Sequence, residues 1–327
     1  MHSTRSKHRW NTVALTVAAC VFEYSAGTAA APPQTPPVHL APAGETGRRI
    51  TEAGLLANYF PAQRKGPAVL ALAGGAGGLS PMMNDAAKAL QAEGFSVLHL
   101  SYFRGPGQNP RAELIPLEYF ASALAWLQRQ PEVDPAQMGI IGVSKGAEAA
   151  LILAGRHPEL KAVIAALPTS VVWPGIVYER TTSPIGSSWS DAGKPVPHIP
   201  HVPYDASKGG TLADNYRASL KALPQHPEAL IPVERIAGRV LLVCGEADGV
   251  WPSCPMARQI QERLREHRRP DAIVLAYKDA GHAAFGVPLP LNDPRLTRDG
   301  GTVEGTTAAR SDSWQKGIAF LKACLGN

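Results

Sequence analysis

This 327-residue chain is predicted to fold as an α/β domain with a mostly parallel central sheet. Two observations carry the prediction. Short, continuously apolar segments recur along the chain, and amphipathic helical segments separate them. Strands that are apolar on both sides, with a helix between each and the next, belong in a parallel sheet covered on both faces. Hydrophobic residues make up 45% of the chain and charged residues 18%, a composition and length that support one large core.

The elements follow in order. Residues 54–62 (GLLANYFPA) and 68–75 (AVLALAGG) read as strands, and the helical segment 82–94 (MMNDAAKALQAEG) ends on Gly94. Strand 95–103 (FSVLHLSYF) leads to helix 116–130, where Pro116 suits a helix start because an amide there has no intrahelical acceptor. Apolar residues at 117, 120, 124 and 127 give that helix one buried face. Strand 138–144 (MGIIGVS), helix 145–156 and strand 161–168 (KAVIAALP) come next. After a long irregular stretch, strand 239–248, helix 255–267, strand 271–281 and a closing helix near 311–325 complete the alternation. The irregular stretch, 168–234, is rich in Pro, Gly, Ser and Trp. A loop of that length inside a compact domain is usually functional, and its place between two sheet strands predicts a cap insertion.

Residues 1–30 read as a signal peptide: a basic start (Arg5, Lys7, Arg9), the apolar run TVALTVAACVF, then small residues ending in Ala30. The run is too short for a membrane span. Export to the periplasm or medium is the expectation, with a lipoprotein anchored through Cys20 as the alternative, because Val17-Ala18-Ala19-Cys20 resembles a lipobox. A Pro-rich linker (31–48) then precedes the domain at 49–327. Of the net charge of +5, three positives lie in the first ten residues, and the Lys and Arg of the remainder are scattered rather than striped, which gives nucleic-acid binding no support. The cysteines show no CxxC or Cys/His spacing, so no metal site is indicated. Cys244 reads as a small core residue of a strand, and an oxidising compartment would permit a Cys254–Cys324 bridge.

The chemistry centres on Gly142-Val143-Ser144-Lys145-Gly146, a G-x-S-x-G pentapeptide between an apolar strand and a helix. So sharp a corner strains the serine backbone and brings the residues two before and two after it together, so both must be nearly bare. Ser144 is therefore the candidate nucleophile. It needs a base, and the base an orienting acid, in the chain order Ser, acid, His. Glu246 and Asp248 both follow the apolar run (VLLVC, 240–244) of the 239–248 segment; Asp248 is preferred because it lies farther past that run, before Gly249. Of the ten histidines, His282 alone follows the next strand among small residues, while His157, His198, His201 and His226 read as surface positions. The developing oxyanion requires donors. The candidates are the amide of Lys145 and, in the loop Gly74-Gly75-Ala76-Gly77-Gly78, those of Gly75 and Ala76. That loop lacks the Lys-Ser/Thr of a P-loop and the spacing of a dinucleotide fingerprint.

The segments GGAGGL, PLEYFASALAWLQRQPEVDPAQMGIIGVSKGAEAALILA, SSWSDAGKPVP, LIPVERIAGRVLLVCGEADGVWPS, GHAAFG and SWQKGIAFL fall in one order over about residues 50–325. Together they resemble the C-terminal catalytic domain of acyl-CoA thioesterases and bile acid-CoA:amino acid N-acyltransferases, relatives of dienelactone hydrolases. The resemblance implies an α/β-hydrolase fold, a Ser144–His282–Asp248 triad, no cofactor, and a small-molecule acyl ester or thioester as substrate. Hydrolysis through an acyl-enzyme is the leading expectation. Acyl transfer to an amine is the second, although the family's amino acid acyltransferases use a cysteine nucleophile. A non-catalytic binding module of the same fold is the third. Trp173, Trp189 and Tyr204 of the cap are expected to line the acyl site.

Overall fold

The computed structural model describes residues 38–178, 184–202 and 211–326, so the segment read as a signal peptide and Tyr204 lie outside the described residues. Eight strands form the central sheet: β1 (Arg48–Ile50), β2 (Leu56–Phe60), β3 (Gly66–Leu72), β4 (Ser96–Ser101), β6 (Val133–Val143), β7 (Leu160–Ala166), β10 (Arg239–Gly245) and β11 (Ile273–Tyr277). A second, three-stranded sheet joins β5 (Ile115–Pro116), β8 (Trp189–Asp191) and β9 (Lys194–Pro195). The large sheet runs β1-β2-β4-β3-β6-β7-β10-β11, and only the pairings β1–β2 and β2–β4 are antiparallel. The mostly parallel expectation holds, with β1 added at an edge where three residues, two of them exposed, give too little apolar pattern to read.

Layering follows from burial on both faces of β3, β7 and β10. Helices α1 (Pro81–Ala92) and α6 (Val303–Leu325) cover one face, and the buried stripe Met83, Ala86, Ala87 and Leu90 of α1 packs with Val69, Val97 and Ile141 of the sheet. Helices α2 (Leu117–Gln128), α3 (Lys145–Ala154) and α5 (Ser253–Glu266) cover the other. The predicted face of α2, Leu117, Phe120, Leu124 and Leu127, is buried as expected. All ten residues of α3 are buried, because the sheet lies on one side of it and the inserted segment on the other. Helix α6 begins eight residues before the predicted 311; Thr302 caps it by accepting from the Gly305 amide at 2.9 Å, and Gly326 ends it with φ 74°.

The insertion is folded rather than irregular. Its described part holds β8, β9, the capped helix α4 (Leu212–Leu220) and short 3₁₀ turns. A third apolar cluster, with Val171, Trp173, Ile199, Ala229, Trp251 and Met256, joins it to the domain. Residues read as linker also differ from expectation: His39 and Ala41 exchange backbone hydrogen bonds with Leu79 at 2.7 and 2.9 Å, so the domain's contacts begin before residue 49.

The cysteine reading is corrected. Cys254 bonds Cys244, not Cys324, which is a free thiol. The end of β10 and the first turn of α5 meet with Cα atoms 5.1 Å apart, inside the usual disulfide range, and both side chains are buried.

Candidate active site

Ser144 joins β6 to α3 with φ 57° and ψ −119°, a conformation that a non-glycine residue adopts only where the surroundings impose it. The flanking glycines are required by contact. A Cβ on Gly142 would stand 2.0 Å from the carbonyl oxygen of Gly146, and one on Gly146 would stand 2.4 Å from that of Leu72. The corner sets the serine at the N-terminus of α3, where its carbonyl accepts from the amides of Ala147 (2.8 Å) and Glu148 (3.2 Å).

The three residues chosen for a triad meet. Nε2 of His282 lies 2.8 Å from Oγ of Ser144, and Nδ1 lies 2.9 Å from each carboxylate oxygen of Asp248. Asp248 is almost wholly buried and well held: Oδ1 accepts from the amides of Val250 (2.9 Å) and Trp251 (3.2 Å), and Oδ2 from the Ser253 hydroxyl at 2.7 Å. Those three donors fix the carboxylate in the orientation that meets the imidazole. The other acidic candidate, Glu246, is exposed and pairs with Arg258 on the surface. Trp251 stands edge-on to the imidazole, centroids 5.6 Å apart, with its own N–H donated to the Leu167 carbonyl. Trp251 and Ser253 were not singled out in the sequence; their sole signal is that they follow Asp248 within five residues.

The glycine loop stands beside the serine. A Cβ on Gly74 would approach that of Ser144 to 3.2 Å. Among the described residues the amides of Gly75 and Ala76 donate to no protein group. The Lys145 amide begins α3, also without an intrahelical acceptor. An apolar cavity of about 60 Å³ borders the elbow through Gly74 and Val143 and is walled by Met83, Phe285 and Trp314.

Lys145 supplies more than its amide. Its side chain is 2% exposed and turns away from solvent to reach Glu148 at 2.8 Å, the Ser188 hydroxyl at 2.9 Å and the Pro174 carbonyl at 3.4 Å. The other oxygen of Glu148 accepts from the Trp173 amide (3.1 Å) and the Trp189 indole (2.8 Å). Burial pushes the Lys145 ammonium down and the Glu148 carboxyl up, and each partner's charge opposes the shift of the other.

Two expectations about aromatic and histidine residues change. Trp173 and Trp189 are fully buried, one donating its indole N–H to Thr169 and the other to Glu148, so they are core residues of the insertion rather than an open acyl lining. His201 is half-buried against Trp173 and Tyr216 rather than a surface residue.

A model of the family described as "BAAT / Acyl-CoA thioester hydrolase C terminal" matches residues 115–327. Acyl-coenzyme A thioesterase 6 of Mus musculus is 29% identical over 292 residues, 84% of this chain and 64% of that protein. Bile acid-CoA:amino acid N-acyltransferase of Mus musculus is 30% identical over 274 residues, 81% of this chain and 61% of that protein. The chain thus spans less than two thirds of the length of these curated relatives. Among solved structures, the alpha/beta hydrolase GrgF from Penicillium sp. sh18 superposes with a TM-score of 0.52 at 19% identity, over 86% of this chain and 98% of that one. A dienelactone hydrolase-like phosphotriesterase from metagenomic libraries gives 0.52 at 16% identity, over 86% and 99%. The fold is that of the α/β hydrolases, and the chain belongs to the BAAT / acyl-CoA thioester hydrolase C-terminal family.

Proposed function

We propose that this protein is a serine hydrolase that cleaves acyl thioesters or carboxylic esters through an acyl-enzyme. The observation that carries the proposal is the hydrogen-bonded series Ser144–His282–Asp248 on the strained corner. Ser144 attacks the acyl carbon while His282 Nε2 takes its proton, and Asp248 keeps the other ring N–H oriented and stabilises the imidazolium. The oxyanion forms against the amides of Lys145 and of Gly75 or Ala76. Collapse expels the thiol or alcohol, protonated by His282. Water, deprotonated by the same nitrogen, then releases the acid and restores Ser144.

A fluorophosphonate probe tests this without knowledge of the substrate. Labelling confined to Ser144 and lost in Ser144→Ala is expected; an unlabelled wild-type protein overturns the assignment and favours a binding module. Curated relatives include acyltransferases, so products are compared with and without glycine or taurine. Free acid in both cases is expected from a serine nucleophile. A chain-length panel of p-nitrophenyl esters and acyl-CoAs reads the acyl preference. We further propose an exported protein. Its support is the character of residues 1–30 and a buried disulfide, which persists in oxidising compartments.

A further inference from the structure

The side-chain network beneath the elbow and the stretch Trp173–Tyr178 connect two parts of the site that are far apart in sequence. Residues 174 and 176 lie in a narrow strand-like strip: Pro174 bridges Ser187, and Ile176 exchanges backbone hydrogen bonds with Ala112 at 3.0 and 3.3 Å. At one end, the Trp173 amide and the Pro174 carbonyl are held by Glu148 and Lys145, a charged pair buried in the first turn of α3. At the other end, Ile176 and Tyr178, two residues apart and hence on one side of the strip, both reach Gly75. The Tyr178 hydroxyl donates to the Gly75 carbonyl, and a Cβ on Gly75 would lie 2.9 Å from Ile176 Cδ1.

The peptide that carries the Gly75 carbonyl also carries the Ala76 N–H, and peptide planarity aims the two in opposite directions. A donor on that carbonyl therefore sets where the amide points. Lys145 likewise carries the other candidate donor, its own amide at the start of α3, and its side chain ties the same strip. A buried ion pair is weak evidence for stability in itself, since apolar residues of equal volume often do as well. Its placement, joining the nucleophile helix to the strip that clamps the glycine loop, is better explained by positioning.

We propose that residues 173–178 form a strap that holds the two candidate oxyanion donors, the glycine-loop amides and the Lys145 amide, in register across Ser144, with Lys145, Glu148 and Tyr178 as its positioning residues. The strap rests on the serine-hydrolase reading above, and the test separates the two. Wild type and Tyr178→Phe are compared by fluorophosphonate labelling and by steady-state hydrolysis of a p-nitrophenyl ester. Lost orientation of one donor is expected to lower kcat by about tenfold, short of the larger loss from deleting a donor outright. KM stays within about threefold, because ground-state binding is not what the oxyanion donors supply.

The second variant removes the charges at the other anchor, as Lys145→Met with Glu148→Leu, and is expected to show the same kcat loss. Lys145→Met with Glu148→Gln, which keeps an acceptor for Trp173 and Trp189 and leaves no buried ammonium unpaired, recovers more than half of that loss on a logarithmic scale. A kcat for Tyr178→Phe within threefold of wild type overturns the strap, whatever the double variants do. A change confined to KM or to the melting temperature overturns it as well. A wild type that neither labels nor turns over the ester overturns the hydrolase reading on which the strap rests.

Discussion

Oγ of Ser144 and Nε2 of His282 lie 2.8 Å apart although 138 residues of chain separate them. That distance is a hydrogen bond ready to become a proton transfer. Ser144→Ala is therefore expected to lower turnover at least about 10³-fold, the order seen when a triad member is removed. Its melting curve stays within about 1 kcal/mol of wild type, since no apolar contact is lost. Ser144→Gly abolishes activity too, but raises stability by about 1 kcal/mol by relieving the positive φ. Urea unfolding of the three proteins reads the difference.

Asp248 and Glu246 separate cleanly. Asp248→Asn is expected to cost about 10⁴ in kcat, because an asparagine amide holds His282 in the wrong tautomer. Glu246→Gln removes only a surface pair with Arg258 and changes kcat less than about threefold. Steady-state rates on one p-nitrophenyl ester decide; the reverse ranking transfers the acid's role to Glu246.

The Cys244–Cys254 bond closes the loop that carries Asp248 and Trp251. Cys244→Ala with Cys254→Ala is expected to lower stability by about 2–3 kcal/mol, as for short disulfide loops. Reductant lowers the wild-type melting temperature and leaves the double variant unmoved. Peptide mapping without reduction recovers Cys244 joined to Cys254 and finds Cys324 open to alkylation.

His99 of β4 is fully buried, and no protein group pairs with either ring nitrogen among the described residues. Burial, with Arg49 adding a like charge, pushes its pKa down to about 3. The unfolded chain binds this proton below about pH 6.5 and the folded one does not, so stability falls as pH drops from there toward 3. Between pH 7 and 5 the loss is about 2 kcal/mol by linkage. His99→Leu removes that increment, so the gap between the variant's and the wild type's unfolding energies shifts by the same amount between the two pH values. An unchanged gap places the acid sensitivity elsewhere.

Coenzyme A thioesters are made in the cytoplasm and carry too much charge to cross a membrane unaided, so an exported enzyme would seldom meet them. On the export proposal, kcat/KM for neutral carboxylic esters is expected to equal or exceed that for acyl-CoAs of the same acyl group, after allowance for the better thiol leaving group. Fractionation of the native host finds the mature form outside the cytoplasm. A cytoplasmic protein that retains residues 1–30 and prefers acyl-CoA would sink this reading.

By itself the sequence determined the layers and the triad's candidates. Strand and helix periods are local properties, visible in segments such as AVLALAGG and in the buried face of α2, and the corner at Ser144 is written in the two glycines that its geometry requires. The order Ser, Asp, His along the chain follows from where loops leave a parallel sheet. Only the tertiary structure decided that Cys254 pairs with Cys244, because proximity of the end of β10 to the start of α5 is a matter of packing rather than spacing. It also turned Trp173 and Trp189 from a supposed lining into core, and buried Lys145 and Glu148, whose charges alone suggest a solvated helix face. Those outcomes depend on what the inserted segment covers, and a period of 3.6 residues states which side chains share a face but not what lies against it.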